Sequence, residues 1–253
     1  MGDVTGIGWT DHSFNGWWGC AHISPGCANC YAHAQALRWG HDVFHLRGER
    51  RMLSDRNWAR PRTWNRDAEL AGVPTRAFAF SMGDVFEDHP TLPGPRARFF
   101  RLVEETPWVI WQILTKRIDN VAGMVPWTAG SWPANVWLGT SAESQKLAGE
   151  RIPVLAAIGG PAVRFVSAEP LLGMVDLGPW LSRLGWVIVG GESGPKRREM
   201  NVAWLTSIAG QCQAAGVPVY VKQDSGPRAG MQGRIPAPAW ALKQFPGEAT
   251  GAP

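Results

Sequence analysis

Six apolar segments, rich in β-branched and aromatic residues, recur along this chain, and each ends in polar residues. Runs of this length are typical of strands buried on both faces, as in parallel sheets. Segments able to form helices separate several of them. The apolar runs are Arg76–Asp84, Trp108–Arg117, Asn135–Glu143, Arg164–Pro170 with Val163 before it, Trp186–Ser193 and Val217–Asp224, and the helical segments are Pro95–Glu105, Glu143–Ile158 and Asn201–Ala215. This alternation predicts β–α–β units, which right-handed crossovers curl into a barrel or an open doubly wound sheet.

The number of strands favours a partial barrel over a complete eight-stranded one. The six strands follow a cysteine-rich segment, and Phe14–Trp18 just before it is a candidate seventh. We therefore predict an α/β fold, a partial barrel of (β/α)6 type with parallel strands and an N-terminal cysteine loop. At 253 residues the chain has the length of one such domain. Within it, residues from about 38 to 66 are predicted as an Arg- and Trp-rich insertion, and those from about 244 to 253 as a short flexible tail.

The polar residues at the ends of the predicted strands are candidate site residues. In a β/α barrel the carboxyl ends of the strands form one face, and that face holds the active site. The alternative is that strands end in polar residues only because loops are polar, which explains scattered serines better than repeated charges. The set comprises Ser81, Asp84, Thr115, Lys116, Arg117, Thr140, Glu143, Ser167, Glu169, Glu192, Ser193, Lys222 and Gln223.

Three of the four cysteines, Cys20, Cys27 and Cys30, lie in the segment NGWWGCAHISPGCANCYAHA with the spacing C-x6-C-x2-C. The N-terminal sequence lacks the pattern of a secretory signal, and no run of apolar residues is long enough to cross a bilayer. We therefore expect a cytoplasmic protein without a membrane partner, in which clustered cysteines serve metal or redox chemistry rather than disulfides.

Three uses of these thiols remain open. A closed zinc site needs a fourth ligand, for which His33, His22 and the distant Cys212 are candidates. A [4Fe–4S] cluster held by only three thiolates leaves one iron open for a substrate or cofactor. The third alternative is that the cysteines are structural and bind no metal.

Basic and aromatic residues are concentrated between Arg38 and Arg66, where eight arginines alternate with Trp39, Trp58 and Trp64 in a chain of net charge +4. Such a pattern suits a phosphate backbone with unstacked bases, although it is equally consistent with a solvated arginine-rich segment. A second basic cluster, Lys196, Arg197 and Arg198, follows the glycine turn at Gly190–Gly191. The candidate contacts to a nucleic acid are Arg50, Arg51, Trp58, Arg60, Arg197 and Arg198.

The motif NGWWGC…SPGCANCYA resembles the N-terminal signature of a family of phage and prophage proteins with a three-cysteine motif, a family named only as a domain of unknown function. The resemblance continues in order through WQILTKR, NVWLGTSAES, VSAEPLLG, WVIVGGESG and PVYVKQ. The cysteine motif and the TKR after a strand also resemble spore photoproduct lyase and related radical S-adenosylmethionine (SAM) proteins. Two features depart from the usual radical SAM pattern: the first gap is six residues rather than three, and Asn29 rather than an aromatic residue precedes Cys30.

The resemblance implies a [4Fe–4S] cluster on Cys20, Cys27 and Cys30, and SAM as cofactor. It also implies an enzyme that generates a 5′-deoxyadenosyl radical with an electron from a donor, to modify or repair a nucleic acid or nucleoside, with or without a partner protein. The alternative is a non-catalytic phage protein that binds nucleic acid and is stabilised by zinc or a cluster. The candidate cofactor contacts are Tyr31, Ser81, Asp84, Thr115, Thr140, Glu143 and Ser167.

Four residues are candidate catalytic groups, each with a structural alternative. Lys116 resembles the lysine of the lyase group and suits a carboxylate or phosphate. Glu169 and Lys222 are candidates for substrate contacts, the alternative being an ion pair. Glu192 is predicted to point into the site from a glycine turn, unless it is simply a solvated residue of that turn.

Overall fold

The structure is a computed structural model that describes residues 5–247. Its strands and helices alternate along the chain as the apolar pattern predicts. In order they are β1 (His12–Phe14), β2 (Trp17–Trp18), α1 (Tyr31–Arg38), β3 (Arg51–Met52), α2 (Asp55–Ala71), β4 (Thr75–Ala79), α3 (Pro93–Glu105), β5 (Val109–Thr115), α4 (Val121–Met124), β6 (Val136–Ser141), α5 (Gln145–Ala157), β7 (Val163–Ala168), β8 (Trp186–Gly190), α6 (Val202–Ala214), β9 (Val219–Gln223) and α7 (Ala237–Trp240).

Seven strands form one sheet in the order β1-β4-β5-β6-β7-β8-β9, and β2 pairs with β3 in a separate antiparallel ribbon. The pairs β1–β4, β4–β5, β7–β8 and β8–β9 are parallel. A doubly wound sheet reverses its strand order part-way across, whereas these strands follow chain order, as in a partial barrel. The predicted α/β fold with parallel strands in partial-barrel order is confirmed, and Phe14–Trp18 contributes to two strands rather than one.

Helix α2 begins inside the segment that was predicted as an insertion and occupies its C-terminal part, residues 55–66. It joins the parallel strands β1 and β4 and buries Trp58, Trp64 and Ala68. A connection between parallel strands requires such a crossover, so this arginine-rich segment is part of the β–α–β framework.

The chain forms two compact units. Within the described residues, the first runs to Leu138 and adds Ile158–Ala162, and the second contains Gly139–Ala157 and the residues from Val163 onward. The first has an aromatic core in which Phe14 packs edge-on against Trp58, Phe80 and Trp111.

The start of the predicted flexible tail is packed in the second unit. The carbonyl of Gln244 accepts a hydrogen bond from Nε1 of Trp186 at 2.9 Å, and the ring of Phe245 contacts Trp186 and Tyr220. Residues 248–253 of that predicted tail lie outside the described residues. Within residues 5–247, no helix has both the length and the apolar character to cross a membrane.

Candidate functional site

The three clustered cysteines lie on one loop, residues 19–30, between β2 and α1. Cys27 ends a short 3-10 helix, and Cys30 is the N-cap residue of α1. The loop begins at Gly19, whose φ of 111° favours glycine, and a Cβ there would lie 2.5 Å from the carbonyl oxygen of Val43. A glycine is therefore required where the chain enters this cysteine loop.

Hydrogen bonds fix the cysteine loop to the residues that follow β4. The amide of Gly19 donates to the carbonyl of Met82 at 2.9 Å. The hydroxyl of Tyr31 donates to the carbonyl of Ser81 at 2.9 Å. The side chain of Asn15 accepts from the amide of Met82 at 2.8 Å. The loop thus lies at the carboxyl end of a parallel strand.

Arg117, just after β5, connects the cysteine loop to this strand end. Its Nη1 lies 3.2 Å from Sγ of Cys20 and 3.0 Å from Oδ2 of Asp84, and its Nη2 donates to the carbonyl of Ala21 at 2.7 Å. Only 10% of its side chain is exposed. A buried guanidinium in contact with the Cys20 thiol favours the charged form of that thiol, against the effect of burial.

Asp84, predicted as a cofactor contact, is a buried acceptor for four donors. Besides Arg117, it accepts from the hydroxyl of Thr115 at 2.8 Å and from the amides of Phe86 and Lys116 at 2.9 and 3.2 Å. These bonds tie the loop after β4 to the loop after β5. The position of Asp84 is thus that of a residue that organises the site, and its contact with a cofactor stays a prediction.

Glu87 is the site residue that sequence reasoning missed. It is buried, accepts from the amide of Ala21 at 2.7 Å, and binds Nε and Nη2 of Arg50 at 2.7 and 2.9 Å. The Arg50 guanidinium also donates to carbonyls of Val43, His45 and Gly48. The acidic run Asp84–Asp88 after a predicted strand was the only sequence signal for this pair.

Arg50 and Trp58 are placed differently from the other predicted contacts to a nucleic acid. Arg50 has no exposed side-chain area, and Trp58 is 3% exposed. Their burial argues against contact with a polyanion, because both side chains already serve packing and ion pairing. Arg51 and Arg60, in contrast, line an open cavity of the same unit.

The pKa values of the site follow from burial and from these charges. Burial raises the pKa of the Cys20 thiol well above its ordinary value, and Asp84 adds to this while Arg117 opposes it. Burial likewise raises the pKa of Cys30, against the opposing charge of Lys116. Burial alone would raise the pKa of Glu87, but the hydrogen bonds from Arg50 and Ala21 outweigh it, and the pKa is lowered.

All four cysteines are free thiols. Cys20 and Cys30 pack against one apolar cluster that includes Trp18 and Phe44. Within residues 5–247, no three His, Cys, Asp or Glu side chains are arranged so that they could hold a metal ion. The donor set is nevertheless one that iron–sulfur clusters use, since soft thiolates are their usual ligands.

A cavity of about 540 Å³ adjoins the cysteine loop. Its lining consists of residues 21–23 and 44–46 together with Glu87, Asp88, Lys116, Arg117, Asp119 and Asn120. Lys116 is half-buried and lies close enough to Cys30 to affect its pKa. The cations Lys116 and Arg117 thus share the lining with the carboxylates of Glu87, Asp88 and Asp119, so the cavity carries charges of both signs.

In the second unit the predicted charged residues bind one another. Lys222 Nζ pairs with Glu169 Oε1, and both side chains are 17% exposed. Glu192 is bonded to the guanidinium and the amide of Arg198. The ion-pair alternative thus describes Glu169 and Lys222, and Arg198 is bound to a carboxylate rather than free for a phosphate.

The remaining predicted residues of this unit are mostly buried. Glu143 has no exposed area and pairs with Arg151 at 2.8 Å, and Thr140 and Ser167 are 0% and 2% exposed. Arg197 is half-buried, with Nη1 3.3 Å from the carbonyl of Gly194. Sequence reasoning missed Asp224, a buried carboxylate that binds Arg234 Nε at 2.9 Å.

Comparison with known proteins adds a family and a distant structural likeness. No curated protein matches the chain. Among solved structures, it is similar to a mutant of spore photoproduct lyase with bound AdoMet and dinucleoside spore photoproduct, at 12% sequence identity and a TM-score of 0.44. The match covers 80% of this chain and 61% of that one, so the chain spans less than two thirds of its length. The family model described as "Protein of unknown function (DUF5131)" matches residues 4–236, nearly the whole chain, and the protein therefore belongs to that family.

Proposed function

We propose that this protein is a radical SAM enzyme that holds a [4Fe–4S] cluster on Cys20, Cys27 and Cys30 and acts on a nucleic acid or nucleoside. The observation that carries the proposal is the placement of three free thiols on one loop at the carboxyl ends of β4 and β5, with Arg117 bonded to Cys20. The resemblance of the cysteine motif to that of radical SAM proteins supports the same assignment.

Three thiols fit a cluster with one open iron better than they fit zinc. A structural zinc site is closed by four ligands, whereas a three-thiolate cluster leaves one iron to bind SAM. Cys20, Cys27 and Cys30 would hold such a cluster, and it would supply one-electron chemistry for the reductive cleavage of SAM, with the electron drawn from an external donor.

The residues around the cysteine loop have distinct roles in this proposal. The Nη1 of Arg117 lies 3.2 Å from Sγ of Cys20 and would offset the negative charge of a cluster-bound thiolate there. The Glu87–Arg50 pair binds the backbone of Ala21, inside the loop, and carbonyls of residues 43–48, beyond α1. Lys116 provides a cation beside Cys30 for a carboxylate or phosphate.

The predicted contacts in the second unit, Thr140, Glu143, Ser167, Glu169, Glu192 and Lys222, remain part of the proposal as predictions. So do a cytoplasmic location in a bacterial host, a phage origin, an electron donor and a partner protein.

The test is cleavage of SAM by the anaerobically reconstituted protein in the presence of dithionite. We expect release of 5′-deoxyadenosine by the wild type and by Cys212→Ala, a control at a buried cysteine of α6, and no release by Cys27→Ala. A colourless protein that contains about one zinc per chain and leaves SAM intact would refute the proposal and favour a zinc-stabilised binding protein.

A further inference from the structure

A second cavity in the first unit, of about 990 Å³, is separate from the one beside Lys116. Its walls include two tryptophans and three arginines: Trp18, Trp39, Arg51, Arg56 and Arg60. Of the described residues that line it, none is acidic. A cavity with aromatic rings and positive charge, and without a carboxylate of its own, favours an anionic ligand that carries a flat ring system.

The aromatic part of this cavity is a pair of stacked indoles. The rings of Trp18 and Trp39 have centroids 5.1 Å apart and planes inclined by 26°. Trp18 is 7% exposed and anchored in the core, whereas Trp39, just after α1, is 47% exposed. Half of a large ring in solvent, held in place by a buried neighbour, is a rigid platform on which a base can stack.

The arginines are positioned by the secondary structure. Strand pairing places Arg51 opposite Trp18, and its guanidinium carbon lies 4.7 Å above that ring. Arg56 and Arg60 lie four residues apart in α2 and therefore share one face of the helix. No ion pair joins Arg51 or Arg56 to a carboxylate among residues 5–247, and Asp55, next to Arg56, binds Arg98 at 2.7 Å instead. Their charges are therefore available to phosphate oxygens.

We propose that this cavity binds a nucleobase together with its adjacent phosphates, with the base on Trp39 and the phosphates on Arg51, Arg56 and Arg60. An acidic peptide would use the arginines but not the stacked indoles. A free nucleotide and a single-stranded nucleic acid share the recognised chemistry, and the experiment separates them.

One residue that lines the cavity, Trp18, directly precedes the cysteine loop in the sequence. Trp18 precedes Cys20 by two residues and belongs to the apolar cluster against which Cys20 and Cys30 pack. The cavity would therefore supply the substrate class for the cluster chemistry, a link that rests on the proposed function. Ligand binding itself does not depend on it.

The test measures binding of the full-length protein to a fluorescent oligothymidylate by anisotropy over a series of salt concentrations, without SAM or reductant. We expect Trp39→Ala and Arg56→Ala each to weaken binding about tenfold. Trp39→Phe should retain most of the affinity because it keeps an aromatic face. Arg56→Ala should also reduce the salt slope by about 0.7.

Arg101→Ala is the matched control, because Arg101 is an exposed helical arginine outside the cavity. Competition by thymidine monophosphate identifies the source of the ligand: equal affinity assigns the cavity to a free nucleotide, and much weaker competition assigns it to a single strand. Equal losses in Arg101→Ala and Arg56→Ala, or equal competition by an acidic peptide, would overturn the proposal. Since the assay requires neither iron nor SAM, its failure is distinguishable from failure of the proposed enzyme activity.

Discussion

A single charged residue, Arg117, holds the cysteine loop in place through contacts that the sequence does not predict. Arg117 follows an apolar run, and the pattern marks it only as one polar residue among many. The structure gives it three roles, as a donor to Cys20, to Asp84 and to the backbone of Ala21. Which carboxylate a buried arginine meets depends on how the strands pair, and no local pattern encodes that.

Replacement of Arg117 by alanine should destabilise the protein by about 3 kcal/mol, because a buried carboxylate, Asp84, loses its cation. The free energy of unfolding in urea measures this. Arg101→Ala, at an exposed helical position, should stay within about 0.5 kcal/mol of the wild type. If Arg117→Ala loses no more free energy of unfolding than the control, the Arg117–Asp84 pair contributes little to stability.

Glu87→Gln should give a pH-dependent loss of stability. The pKa of Glu87 is lower in the folded than in the unfolded chain, where it is near 4.5, so its stabilising effect is present above that pH and is lost as pH falls through the folded pKa. We expect wild type and variant to differ by about 3 kcal/mol at pH 7. The difference should narrow progressively below pH 4.5. If wild type and Glu87→Gln differed as much in stability in strong acid as at pH 7, the charge of Glu87 would not be the cause of the difference.

At the scale of elements, periodicity predicted the strands of the sheet well but missed α2. Five of the six apolar runs contain their strands, and the first overlaps β4 except for Thr75, because a doubly buried strand is a continuous apolar run. Helix α2 buries Trp58, Pro61, Trp64 and Ala68 at helical spacing. Its many arginines and the internal Pro61, which ordinarily interrupts a helix, hid that pattern.

Replacing glycine by alanine should lower the stability of the protein just after one helix and raise it inside another. Gly72, after α2, has φ of 67°, whereas Gly210 lies exposed inside α6, and neither would have a neighbour within 4 Å of an added Cβ. Gly72→Ala should lower the free energy of unfolding by about 1 kcal/mol, because only glycine adopts that backbone conformation without strain. Gly210→Ala should gain about 0.5–1 kcal/mol by favouring the helix. The midpoint of thermal unfolding of both variants tests this. A change in the same direction for Gly72→Ala and Gly210→Ala would contradict the prediction.

For the whole molecule, the order of strands was predictable and the grouping of charges was not. Alternating strands and helices predict a parallel sheet, and its order follows the chain. Polar residues at strand ends were predicted as site residues, and the structure adds that Glu169 pairs with Lys222 and Glu192 with Arg198. Spacing in sequence places residues at a strand end but does not state which neighbour satisfies each charge.

The central claim is that Cys20, Cys27 and Cys30 together bind an iron–sulfur cluster, and iron content tests it most directly. After anaerobic reconstitution, we expect about four iron and four sulfide ions per chain, with a broad absorption band in the visible region, in the wild type and in Cys212→Ala. Cys27→Ala should lose both the metal and the band while keeping its far-ultraviolet circular dichroism. Equal iron content in Cys27→Ala and Cys212→Ala, or a folded wild type that takes up no iron, would contradict the claim.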